Sequence, residues 1–155
     1  MIRRKVLIVP VVRCRCRKTR FLVAKDRASG EWTLLSGTCE PYEHPVRCAL
    51  RELYEETKGL VRLRRPPKRT RHYRFREKNK RVDVYFVPLR MCRSQMKQIE
   101  QLFALDEKHQ TPEFLENETI RFQTWQQFVN RRPIWSYILR VMKDQMFQNA
   151  IKSIT

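Results

Sequence analysis

The residues best suited to chemistry are concentrated in one short stretch, Arg51-Glu52-Leu53-Tyr54-Glu55-Glu56. On a helix, Glu52, Glu55 and Glu56 occupy positions i, i+3 and i+4, so their three carboxylates project from one face. Like charges at this spacing repel each other, and a hard divalent cation such as Mg²⁺ or Mn²⁺ relieves that repulsion. Arg51 can orient one carboxylate through a two-pronged ion pair. The alternative is an acidic, solvated helix face that forms salt bridges to nearby arginines.

The spacing upstream of this stretch bears on the choice between these interpretations. Gly37 is followed after five residues by Glu43, and after seven more by the Arg-Glu pair. This arrangement resembles the box of the Nudix hydrolase family: Gly, five residues, Glu, seven residues, Arg-Glu, a bulky apolar residue, any residue, Glu-Glu. The resemblance holds in register to Glu56, but Lys58 stands where the family has glycine, and Gly59 follows one residue late. The helix is therefore predicted to run slightly longer before a left-handed cap at Gly59.

The resemblance implies an α/β fold, a Nudix-type α/β/α sandwich with a mixed sheet, and metal-dependent hydrolysis of a diphosphate linked to another group. It places Mg²⁺ or Mn²⁺ on the carbonyl of Gly37 and on the carboxylates of Glu52, Glu55 and Glu56. These three glutamates, with Arg51, form the predicted catalytic set, in which Glu55 or Glu56 is the base. Bound metal would neutralise the pyrophosphate and lower the pKa of the attacking water.

Three more glutamates are candidate contributors from outside this set. Glu43 is expected to brace the loop through Arg51 or to help position the metal. Glu116 and Glu118 precede a late strand and are contributors or, alternatively, ordinary loop charges.

The elements that must position these residues follow from apolar patterns and turn residues. A single domain is predicted over residues 1–155, with the box at 37–60. Proline at its start and glycine just past its end predict the box helix at 45–57. Strands are predicted at 6–9, 11–12 (after a break at Pro10), 20–25, 32–35, 61–64, 72–76, 82–89 and 120–124. Further helices are predicted at 94–104, 125–130 and, closing the chain, 133–152.

The charge of the chain is unusually positive. It has 34 Lys and Arg against 16 Asp and Glu, a net charge of +18. Residues 1–93 hold 26 of the basic and 9 of the acidic residues, and 23 of the basic residues in the chain are arginines. Guanidinium groups bind phosphate in a two-pronged manner and stack on bases, which favours a nucleotide polyphosphate or RNA partner. The alternative is a basic surface that only keeps the protein in solution.

The most basic segment, Arg62–Arg81, bears on the substrate. Arginines alternate with aromatic residues there, which predicts a cationic sheet face that binds RNA phosphates and bases. The predicted substrate-binding or RNA-binding residues are Trp32, Arg69, Arg71, Tyr73, Arg74 and Arg76.

Within the Nudix family this combination resembles the mRNA-decapping members, including virus-encoded ones. It implies hydrolysis of the RNA cap with release of methylated GDP. Two alternatives stay open. One is an enzyme acting on free nucleotides, dinucleotide polyphosphates or inositol pyrophosphates, and the other is an RNA-binding module without turnover.

The cysteines and the apolar runs bear on the cellular setting. Five cysteines are an odd number in a chain long enough to fold without disulfides, so reduced, mostly buried thiols are predicted. A zinc site built from Cys39, His44, Cys48 and the Cys14–Cys16 pair lacks the usual loop spacing. No apolar run approaches the roughly 20 residues that span a bilayer. We therefore expect no membrane partner and a cytoplasmic location, the host cytoplasm for a viral protein.

Overall fold

The computed structural model describes residues 2–15, 17–105 and 110–155. Its strands form one sheet in the order β4-β5-β1-β3-β2-β6. The β1–β5 pair is parallel and the other pairs are antiparallel, so the sheet is mixed as predicted. The strands are β1 Arg3–Arg13, β2 Thr19–Asp26, β3 Trp32–Thr38, β4 Arg71–Glu77, β5 Lys80–Leu89 and β6 Asn117–Gln123.

Helices cover both faces of this sheet, which confirms the predicted α/β/α sandwich. Alternate residues of β1 point to opposite faces, so Val6 packs with one helical layer and Leu7 with the other. The first layer contains α1 and α2, and the second contains α3, α4 and α5. The helices are α1 Pro45–Glu56, α2 Arg93–Phe103, α3 Trp125–Val129, α4 Ser136–Met142 and α5 Gln145–Ile154, with a 3₁₀ turn at Pro112–Leu115.

Strand β1 continues through Pro10, so the predicted break there is wrong. Residues Lys5–Ile8 pair with β3, and Val11–Arg13 pair with β2. Pro10 lies between these two ladders, where β1 changes its antiparallel partner. A proline is tolerated at such a position because its missing N–H removes no ladder hydrogen bond on that side.

The predicted strand at 61–64 is also wrong, because this segment turns back under the end of α1. The Thr57 hydroxyl donates to the Leu53 carbonyl at 2.7 Å and accepts from the Val61 amide at 3.1 Å. Val61 is buried there, with 4% of its surface exposed. Its apolar character therefore reflects packing against the helix rather than pairing in the sheet.

The closing helix predicted at 133–152 is two helices. Helix α4 ends at Met142, and α5 begins after Asp144. The Asp144 side chain accepts a hydrogen bond from the Phe147 amide at 3.0 Å, so it caps a new helix. The apolar stripe spans the break because both helices pack on the same face of the sheet.

The box helix agrees closely with its prediction at the start and less well at its end. The side chain of His44 caps it, with Nδ1 accepting from the Val46 amide at 3.2 Å. It ends at Glu56, one residue before the end predicted for it. Lys58 and Gly59 both adopt left-handed conformations, with φ of 53° and 75°. The Gly59 amide donates to the Tyr54 carbonyl at 2.7 Å, which closes the helix.

The prediction of reduced thiols is wrong for two cysteines. Cys39, just after β3, and Cys48, in α1, form a disulfide with Cα atoms 5.3 Å apart. The two thiols lie within bonding distance because the loop after β3 folds back onto the helix. Cys14 and Cys92 are free, and Cys16 lies outside the described residues. None of the helices in the described part of the chain is long and apolar enough to cross a membrane.

Candidate active site

Helix α1 places two of the box glutamates against β3, where both are nearly buried. Glu52 and Glu56 each have 7% of their surface exposed. The Ser36 amide donates to Oε1 of Glu56 at 3.3 Å, and the Asn117 side-chain amide donates to Oε2 at 3.3 Å. Asn117 was missed by the sequence reasoning. Its only signal is its place between two glutamates at the start of a strand.

Gly37 leaves the space that the Glu52 carboxylate occupies. A Cβ atom built on Gly37 would overlap the Glu52 carboxyl group itself. The glycine is thus required for space, since only a residue without a side chain lets β3 and the carboxylate approach so closely. The backbone of Gly37 and the Glu52 carboxylate are therefore neighbours.

Arg51 connects the remaining carboxylates. Its Nε and Nη2 atoms donate to the two oxygens of Glu43, at 2.9 and 3.0 Å. Its Nη1 atom donates to Glu52 at 2.9 Å and to Glu55 at 3.1 Å. Nη2 also donates to the Thr38 carbonyl at 3.3 Å, so one guanidinium ties the loop after β3 to the acidic face of α1.

Burial dominates the electrostatics of Glu52 and Glu56. Burial raises the pKa of Glu52 to about 7, although the neighbouring Arg51 charge opposes this shift. Burial, and then the charge of Glu52, raise the pKa of Glu56 well above its ordinary value. By contrast, hydrogen bonds from Arg51 lower the pKa of Glu43. A divalent cation suits Glu52 and Glu56, because they are buried, neighbouring oxygen donors whose negative charges are compensated only in part, through the ion pair of Glu52 with Arg51.

The two outer glutamates differ in their relation to this cluster. Burial, followed by the charge of Glu55, raises the pKa of Glu116, so Glu116 lies within electrostatic reach of the site. The side chain of Glu118 is exposed, and it forms no hydrogen bond or ion pair with any residue that the structure describes. The geometry thus favours Glu116 over Glu118 as an outside contributor.

Cys39, Glu43 and Cys48 form a second group of metal-ligand types, with their ligand atoms within 4.8 Å of one another. Both sulfur atoms are paired in the disulfide, and Glu43 is paired with Arg51. These atoms are therefore already engaged, and the group is a brace for the box loop.

The structure separates the aromatic and basic residues predicted to bind RNA. Successive side chains of β4 point to opposite faces, so Tyr73 packs on Phe86 in the α5 layer while Arg74 points to the α1 side. Arg74 forms an ion pair with fully buried Asp83 at 2.9 Å. Arg76 is exposed on the same strand. Arg74 and Arg76 therefore share one face of β4, and the Tyr73 ring lies on the other face.

Trp32 is also unavailable as an open stacking surface. Only 7% of its surface is exposed, and the Arg131 guanidinium carbon lies 4.2 Å from its ring centre. Its backbone pairs with the segment before α4, through bonds with Pro133 and Trp135. The remaining two predicted residues, Arg69 and Arg71, lie together at a groove at another edge of the molecule.

The sequence matches the model of the NUDIX domain over residues 1–143. The chain belongs to the Nudix family. It is accordingly a Nudix-type diphosphohydrolase, and Nudix hydrolases generally use a divalent metal ion. A comparison with curated protein sequences found no match.

Solved structures similar to this Nudix chain share its fold at low sequence identity. The C-terminal domain of mouse MUTYH, in complex with human PCNA, is 18% identical, with a TM-score of 0.60 over 96% of this chain and 88% of that one. The Bacillus subtilis pyrophosphohydrolase BsRppH is 16% identical, with a TM-score of 0.58 over 99% and 81%. A Caenorhabditis elegans Ap4A hydrolase is 13% identical, with a TM-score of 0.58 over 98% of each chain.

Proposed function

We propose that this Nudix hydrolase acts on the 5′ end of RNA, cleaving the cap and releasing methylated GDP. The observation that supports hydrolysis is the cluster of Glu52, Glu55 and Glu56 beside Gly37, tied together by Arg51. The net charge of +18, carried mainly by arginines, favours a polyanionic substrate. A pyrophosphohydrolase among the similar structures is consistent with this reaction class.

The proposed roles follow from the contacts of each side chain. The Gly37 carbonyl and the carboxylates of Glu52, Glu55 and Glu56 would hold Mg²⁺ or Mn²⁺, which supplies charge neutralisation and an activated water when bound. Glu55 is paired with the permanent cation of Arg51, whereas the described residues that donate hydrogen bonds to the Glu56 carboxylate, Ser36 and Asn117, do so through neutral groups. We therefore assign Glu56 as the base that takes the proton of the attacking water.

Arg51 has a positioning role in this proposal. Its bonds to Glu43 and to the Thr38 carbonyl hold the loop, and its bonds to Glu52 and Glu55 aim their carboxylates. Glu116 is close enough to add negative charge at the edge of the site. The location proposed for the enzyme is the cytoplasm, where capped RNA would be its substrate.

The test is hydrolysis of cap-labelled RNA of about 30 nucleotides, long enough to make several phosphate contacts. We expect release of labelled methylated GDP with Mg²⁺ or Mn²⁺, and its loss in Glu56→Gln. Glu118→Gln is the matched control, because it removes an exposed glutamate outside the cluster. Release of the same product by Glu56→Gln at the wild-type rate would contradict the proposal.

One observation favours a second candidate, a hydrolase of small nucleotides or inositol pyrophosphates. A cleft of about 480 Å³ beside the start of α1 is lined by residues that include Arg4, His44, His72 and Arg74. This volume is typical of small-molecule sites. Hydrolysis of a free nucleotide, dinucleotide polyphosphate or inositol pyrophosphate, with capped RNA left intact, would favour this candidate. RNA binding without any turnover would indicate a binding module.

A further inference from the structure

A basic groove lies at the end of the sheet that is opposite the carboxylate site of the box. It is a groove of about 890 Å³ where the C-terminal ends of β1 and β5 meet the start of α2 and the end of α5. None of the described residues that line it is acidic. It contains five arginines, which define what we call the arginine groove: Arg13, Arg15, Arg69, Arg71 and Arg90.

The charges of the arginine groove are uncompensated within the part of the chain that the structure describes. Arg15, Arg69 and Arg90 are exposed and have no ion pair or hydrogen bond with those residues. Arg13 donates to the Ile154 carbonyl at 3.3 Å, and Arg71 donates to the Ser153 hydroxyl. Both partners are neutral. The five guanidinium groups therefore concentrate positive charge around one cavity and remain available to an anion.

The base of the groove is apolar. Val11, Phe86 and Leu89 line it and are buried, and Pro88 and Met91 are partly exposed beside them. An apolar base flanked by guanidinium groups suits single-stranded nucleic acid, since phosphates pair with the cations while bases lie on apolar and guanidinium surfaces. A compact polyphosphate would use the cations and leave the apolar base without a function.

The groove is separated from the carboxylate site by the length of β1. Val6 pairs with Gly37, and Arg13 follows seven residues later on the same strand. At roughly 3.3 Å per residue this places Arg13 about 23 Å from the box. A single nucleotide cannot contact both sites, whereas a longer RNA can.

We propose that the arginine groove binds the single-stranded body of an RNA whose 5′ end lies at the box. The identity of the RNA rests on the proposed function, but binding at the groove does not depend on turnover. The groove replaces the face of β4 as the RNA surface, because Arg74 is neutralised by Asp83 and the β4 rings lie on the other face.

The test compares two triple variants that each remove three positive charges. The groove variant is Arg15→Gln, Arg69→Gln and Arg90→Gln. The control is Arg3→Gln, Lys97→Gln and Lys143→Gln, which are exposed residues outside the groove. Binding of an uncapped single-stranded RNA is measured without metal over a range of salt concentrations, with inositol hexakisphosphate as a second probe.

We expect the groove variant to lower the slope of log affinity against log salt by about 2, since each lost single-strand phosphate contact contributes about 0.7. If the two proteins bind RNA equally at 1 M salt, a slope lower by 2 corresponds to about a hundredfold loss of affinity for RNA at 0.1 M salt. The control should change both quantities much less. Hydrolysis of a cap dinucleotide, which is too short to reach the groove, should be equal in wild type and groove variant.

The outcomes separate this inference from the proposed function. Equal RNA affinity in the two triple variants overturns the groove even if capped RNA is hydrolysed. Selective loss of RNA affinity in the groove variant supports the groove even if no capped RNA is hydrolysed. Binding of inositol hexakisphosphate with no measurable affinity for RNA also overturns the inference.

Discussion

Arg51 donates to both carboxylate oxygens of Glu43, with Nε 2.9 Å from Oε1 and Nη2 3.0 Å from Oε2. This pair lies eight residues apart in sequence and joins the loop after β3 to the middle of α1. Because the same guanidinium also contacts Glu52 and Glu55, the geometry of the carboxylate face depends on where the loop holds Arg51.

The first prediction concerns this brace. Glu43→Gln removes one charge of the pair and should weaken the apparent affinity for Mn²⁺ about tenfold, as is typical for residues that orient ligands. The matched control is Glu40→Gln, an exposed glutamate three residues away on the same loop. The measurement is hydrolysis as a function of Mn²⁺ concentration. If the two variants have the same Mn²⁺ dependence, Glu43 has no positioning role.

The second prediction concerns the space at Gly37. Gly37→Ala should displace the Glu52 carboxylate and lower kcat about a hundredfold, because small misplacements of reacting groups have effects of that size. Gly30→Ala is the control. Gly30 has open space around it but a φ of 69°, so alanine there should cost about 1 kcal/mol of stability through backbone strain and leave kcat unchanged. Full activity in Gly37→Ala would show that Glu52 lies elsewhere in the working enzyme.

The third prediction concerns pH. The pKa of Glu52 is raised to about 7 in the metal-free fold, from an ordinary value of 4.5. A raised pKa means that the stability contributed by protonated Glu52 is complete below pH 4.5 and is lost as the pH rises through 7. Divalent metal binds the ionised form, so Mn²⁺ should raise the melting temperature more at about pH 7.5 than at about pH 5. An equal shift at both values would argue against metal binding at Glu52.

The fourth prediction concerns the disulfide between Cys39 and Cys48. Closing a loop of this length, with a sequence separation of 9, corresponds to about 2.5 kcal/mol of unfolding free energy. A reductant should therefore shift the denaturant midpoint of the wild type, but not that of a Cys39→Ala, Cys48→Ala double variant. A Cys14→Ala, Cys92→Ala variant should respond as the wild type does. An unchanged wild-type midpoint would mean that the disulfide does not stabilise the fold.

Much of the fold could be predicted from the sequence because its signals are local. Short runs of β-branched and other apolar residues indicated most of the strands, and Pro45 and Gly59 delimited the box helix. The elements that were predicted incorrectly depend on contacts between residues that are distant in sequence. Pro10 is tolerated because β1 exchanges one neighbour for another, and the apolar residues near Val61 pack under a helix end.

The candidate site divides in the same way. Spacing alone determined that Glu52, Glu55 and Glu56 share one helix face, because the helical period fixes their relative directions. Three relationships were decided only by the tertiary structure. Asn117 donates a hydrogen bond to Glu56, and Asp83 forms an ion pair with Arg74. Arg13 and Arg90 line the same groove. Those relationships depend on which strands pair and in which register. Long-range pairing of this kind is set by the packing of the whole sheet, and it leaves no fixed spacing along the chain.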